Sequence, residues 1–142
     1  MTGGSETTRA DLLQAHIAAV EGKPVEWGVS DCTAWAAAWV LAATGKTVPR
    51  LGTYSSLDEA HALIDAAGGL DVLWTQAMAL IGIFATPYAP VLGDVGVVNT
   101  TSFGPVGVIF AQDGIALWRA ETGTALLRPR SRDIIKVWAL PD

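Results

Sequence analysis

The sequence has one cysteine, Cys32, so no disulfide can form within the chain, and folding in a reducing cytoplasm is expected. It has only two histidines, His16 and His61, dispersed and far from the cysteine, so no zinc site is expected. Charged residues make up only 16% of the chain, against 51% hydrophobic, a balance that excludes intrinsic disorder. A basic surplus is missing too: the formal charge is −5 and the pI about 4.8, which argues against a nucleic-acid binder. No apolar run reads as a membrane span. Thr33–Gly45 is too short, and Val72–Gly93 is interrupted by Gln76, Thr86, Pro87 and Pro90. Met1–Thr8 is polar and shows no secretory signal. There is no Gly-x-Gly-x-x-Gly, no Walker loop and no Gly-x-Ser-x-Gly elbow, so no cofactor is expected.

What is present is enough for one core. A chain of 142 residues makes one domain and buries roughly 70% of its unfolded surface. Residues 1–8 read as a flexible tail and 9–142 as a single unit. Thr8 and Asp11 resemble a capping box ahead of Leu13, Ile17 and Val20, predicting a helix from Arg9 to Val20. Asp31 caps a second helix that carries Trp35, Trp39, Val40 and Ala43 and stops at Gly45. Ser56 and Glu59 form another capping box for a helix ending at Gly68–Gly69, and Leu70–Leu80 reads as a fourth. From Ile83 onward the pattern turns to short β-rich runs: Asp94–Asn99, Val106–Ala111, Ile115–Arg119, Ala125–Leu127 and Ile134–Ala139. Asp113–Gly114 predicts a two-residue hairpin turn. Helices first and an antiparallel sheet of about five strands second is an α+β layout.

Cys32 carries the most chemical information. In the first turn of a helix, free N–H groups and the helix dipole lower a thiol pKa, while the Asp31 carboxylate beside it raises it. Trp27 and Gly28 predict a tight turn and a pocket wall next to the sulfur. The plain alternative is a small apolar residue buried at a helix start. His16 and His61 each sit beside apolar helical positions and read first as structural or surface histidines; Asp94, Asn99 and Glu121 are weaker candidates for a base, and Asp94 also suits a turn cap at a strand start.

The run Trp27-Gly-Val-Ser-Asp31-Cys32, followed by Gly93–Asp94 opening Val95–Val98 and Val106–Gly107 within Val106–Phe110, resembles the NlpC-type papain-fold peptidases. Those enzymes cut peptidoglycan stem peptides with a Cys–His pair. A closer resemblance is to a family of uncharacterised phage and prophage domains encoded among tail genes, through the Trp-Gly-x-x-Asp-Cys motif, Tyr54, Gly68–Gly69–Leu70 and the terminal Val137–Trp138–Ala139. The resemblance implies a papain-like fold with N-terminal helices packed on the sheet, with Cys32 as nucleophile if the site is active, Asp31 and Asp94 near it, and Trp27, Gly28 and Pro105 at the pocket. It implies other tail proteins, hub or distal subunits, as partners, and peptidoglycan as a target. The localisation implied is the virion tail, after synthesis in the bacterial cytoplasm.

The departures from that pattern bear on activity. In the peptidases a histidine precedes the Val-Gly pair, and here that position is Pro105, which neither accepts nor donates a proton. The residue that orients the histidine falls near Leu117, Trp118 and Arg119, none of them the usual His, Asn or Gln. Three readings follow. The first is a tail-tip component with a degenerate cysteine site. The second is an active thiol hydrolase acting through an acyl-thioester during host entry. The third is a host-encoded binding module. The mean hydropathy of +0.37 suits a subunit that buries apolar surface against neighbours.

Overall fold

The computed structural model describes residues 8–26, 31–50 and 54–141. Four helices come first: α1 (Arg9–Ala18), α2 (Cys32–Thr44), α3 (Leu57–Ala67) and α4 (Leu70–Leu80). Five strands follow: β1 (Val95–Thr100), β2 (Gly104–Phe110), β3 (Ala116–Arg119), β4 (Thr124–Leu127) and β5 (Ile134–Trp138). All pairings are antiparallel and the spatial order is β4-β3-β2-β1-β5, so the α+β expectation holds.

Local chemistry accounts for the helix ends. Thr8 Oγ1 accepts from Asp11 N while the Asp11 carboxylate accepts from Thr8 N, a complete capping box. α1 stops two residues earlier than its apolar spacing suggests. Ser56 makes only half of its box. Its Oγ accepts from Glu59 N, but Glu59 Oε2 accepts from the hydroxyls of Ser55 and Ser56 rather than from the Ser56 backbone. α2 ends where Gly45 takes φ +78°, a left-handed conformation that lets its N–H reach Leu41 O. At Asp113–Gly114 both φ values are positive, and Ile115 N donates to Gln112 O, closing the β2–β3 turn around the expected dipeptide.

The sheet has apolar side chains on both faces. Val95, Val97, Ile109, Leu117 and Trp138 join Leu13, Trp35, Trp39, Trp74 and Met78 in the core beneath the helices. Alternate residues Val98, Val106, Val108, Phe110, Ala116 and Val137 form a second cluster on the other face, as a two-residue strand period requires. Gly96 lies on that second face. A Cβ there would stand 2.5 Å from Lys136 O and 2.6 Å from the Phe110 ring, so only glycine lets the ring lie flat across β1. Gly107 lies on the helix face. A Cβ there would stand 3.4 Å from Trp74 Nε1 and 3.6 Å from Thr33 Cα, which shows how closely the start of α2 approaches β2.

Candidate functional site

α2 points its N-terminus at the start of β2. Asp31 is its N-cap: extended at φ −68°, ψ 176°, with Oδ1 accepting from Thr33 N and Ala34 N at 3.1 Å each. The Tyr54 hydroxyl donates to the same oxygen at 2.9 Å. With 2% of its surface exposed, Asp31 is a buried carboxylate held by hydrogen bonds from two backbone N–H groups and a phenol. Cys32 is the first residue of this helix. Trp27 and Gly28 lie outside the described residues.

A cavity of about 1490 Å³ runs along α2 from Asp31, Thr33 and Ala34 to Leu41. α3 and α4 wall it with Leu57, Ile64, Leu73 and Trp74, and Pro105 and Trp118 stand on the sheet side. The lining is mostly apolar. Phe103 and Trp118 meet at its rim, with ring centroids 5.1 Å apart and planes tilted by 56°. Pro105 reaches this cavity because the sheet opens there: β2 pairs with β1 through Asn99↔Pro105, but with β3 only at Ile109 and Phe110. The side of β2 away from β1 is therefore unpaired at position 105, which is where a strand tolerates proline. Expected to start at Val106, β2 begins two residues earlier for this reason. Pro105 and Gly107 share the helix-facing side of β2 by strand alternation, and Gly107 is the one that approaches Thr33 at the start of α2.

The other candidates separate. Asp94 is not among the cavity residues. It lies by Gly93, whose carbonyl accepts from Trp39 Nε1, and Trp39 is about 10 Å along α2 from Cys32. Its Oδ2 accepts from Val91 N, closing the turn before β1; burial raises its pKa, while hydrogen bonds from Val91 and Leu140 N–H and the Arg9 charge pull it down. The structure thus supports the turn-cap reading of Asp94 and does not bring it to Asp31. His16 stacks on Trp35 at 5.0 Å, and its Nε2 donates to Trp35 O at 2.9 Å, which fixes the Nε2–H tautomer. Burial lowers its pKa, the hydrogen bond opposing, so it is neutral at pH 7. His61 is exposed on α3 and does line the cavity. Asn99 and Glu121 are both exposed, and of the two only Glu121 lines the cavity.

Arg119, near the position of the peptidases' orienting residue, does something different. Its guanidinium donates to the carbonyls of Lys23, Pro24, Ala120 and Gly123, with only 4% of the residue exposed. A guanidinium has no acceptor and cannot orient a base by taking its proton. The carbonyl clasp was not readable from the sequence, because two of its partners are 95 and 96 residues away. Among the described residues no group of three His, Cys, Asp or Glu side chains is placed to hold a metal ion, and no helix is long and apolar enough to cross a membrane.

Residues 7–140 match the family model described as a domain of unknown function, DUF6950, so the chain belongs to that family. No curated protein and no solved structure matches it.

Proposed function

We propose that the chain is a papain-like domain of the NlpC type that serves as a tail-tip component of a phage or prophage, with a cysteine site that has lost its base. The observation that carries the reading is Pro105. It lines the same cavity as Asp31 and Thr33, on the helix-facing side of β2, and the sequence resemblance matches it to the peptidases' histidine. A pyrrolidine there has no proton to exchange, and an unassisted thiol is a weak nucleophile at neutral pH. Asp31 adds to this. The amide groups of Thr33 and Ala34, which an active site of this kind would offer to an oxyanion, already bond its carboxylate.

The test has two parts. Mass spectrometry of purified particles from an inducing lysate is expected to recover the chain, and its absence sinks the tail assignment. Incubation with peptidoglycan is expected to release no muropeptide above the level of Cys32→Ala. A second reading, an active cysteine hydrolase, draws on the presence of His61 in the cavity wall. Release that is lost in both Cys32→Ala and His61→Ala selects that reading instead.

A further inference from the structure

The charge of this chain is segregated. Residues 1–118 hold four Lys and Arg against eleven Asp and Glu, while residues 119–142 hold five against three. Three of those late cations, Arg128, Arg130 and Arg132, follow β4, an edge strand of the sheet, and all three are exposed. Arg130 has an extended backbone at φ −74°, ψ 154°, and Pro129 stands between the first two arginines. Arg128 and Arg130 are alternate positions in this extended stretch and project to one side about 7 Å apart, whereas Arg132 lies in the 3-10 turn Ser131–Asp133. Among the described residues, none of the three guanidiniums has a hydrogen bond or ion pair. Leu126 on β4, two residues before Arg128, is 69% exposed.

The complementary surface is on α3. That helix exposes Asp58, Glu59 and Asp65, carries no Lys or Arg, and has no buried residue. Asp58 and Asp65, seven residues apart, lie on one face about 10 Å from each other. Neither side chain has a partner among the described residues. Leu57, 46% exposed, opens the same helix. Each surface thus joins unpaired charge of one sign to an exposed leucine, and the two belong to different elements of one chain.

We infer that the Arg128–Arg130 stretch that leaves β4 in one copy docks on the acidic face of α3 in a second copy. The contact is heterologous, so each bound copy leaves one of its two surfaces free, and addition continues until a ring closes or an open array forms. The partner is this chain itself because both halves of the complementarity are on it. Charge attraction sets the orientation, and Leu126 and Leu57 supply apolar area at the contact.

Sedimentation velocity of the purified chain tests this. At about 50 mM salt the wild type is expected to form species larger than a dimer, and at about 500 mM the association is expected to weaken at least tenfold by screening. Arg128→Gln/Arg130→Gln and Asp58→Asn/Asp65→Asn are each expected to sediment as monomers, with unchanged circular dichroism as the check on folding. Mixed together they are expected to form a one-to-one species that grows no further. In that mixture only one joint is attractive: the intact arginines of the second variant on the intact α3 of the first. A wild type that stays monomeric at low salt, a dimer that does not grow, association surviving either variant, or a mixture that does not associate each overturns the inference.

Discussion

Replacing Asp31 with alanine removes an N-cap that holds two amides and also takes the acceptor from the Tyr54 hydroxyl. The expected loss is about 1–2 kcal/mol in urea unfolding. Asparagine caps as well as aspartate but carries no charge, so Asp31→Asn is expected to keep most of that stability. It is also expected to speed Cys32 alkylation by iodoacetamide at pH 7, since a carboxylate next to a thiol opposes the thiolate; an unchanged rate counts against the charge having any effect. His16 gives a pH dependence of definite sign. Its folded pKa lies below the usual 6.5, so between those values the unfolded chain binds more protons, and stability falls as pH drops through that window. Asp94, raised above 3.8, acts in the opposite sense: protonation favours the folded state as pH falls between its raised value and 3.8. The urea midpoint is therefore expected to fall between pH 7.5 and 5.5, and His16→Gln, whose amide can still donate to Trp35 O, is expected to flatten that fall. The Asp31 cap was legible from sequence because a cap is a local event within three residues. The Tyr54 bond to the same oxygen spans 23 residues and was not.

At the scale of elements, two glycines make opposite forecasts. Gly96→Ala drives a methyl into the Lys136 carbonyl and the Phe110 ring, both under 3 Å away, and is expected to cost about 3 kcal/mol or more. Gly107→Ala meets its neighbours at 3.4–3.6 Å and is expected to change stability by less than about 1 kcal/mol. Thermal unfolding of the two variants side by side checks the contrast; equal losses would mean that the sheet relaxes around Gly96. Helix existence and order were readable because caps and apolar spacing agree in each segment. β2 was readable only from Val106, because Gly104–Pro105 breaks the apolar alternation, and proline in a central strand argues against pairing until it is known that β3 leaves that edge open. The cavity had no sequence signal at all. Its walls come from three helices and a strand edge, and what they leave unfilled depends on packing across the whole chain.

For the molecule as a whole, Arg119 ties the chain between α1 and α2 to the β3–β4 turn. Arg119→Met leaves carbonyls of Lys23, Pro24, Ala120 and Gly123 without that donor and is expected to cost about 2–4 kcal/mol in urea unfolding. Arg119→Lys is expected to recover only part of it, since one ammonium cannot span four acceptors. A loss below about 1 kcal/mol from methionine would show that water replaces the guanidinium. At the other end, Arg9 on α1 donates to the carbonyls of Leu140 and Pro141, and β5 lies beside β1 in the sheet. This has a consequence for synthesis on the ribosome. A nascent chain that has emerged only as far as β4 leaves the long edge of β1 bare and the Arg9 guanidinium without those carbonyls. Native closure therefore waits for residues 134–141 to clear the exit tunnel, and until then the half-made sheet depends on chaperones or on its own speed to avoid pairing with a neighbouring chain.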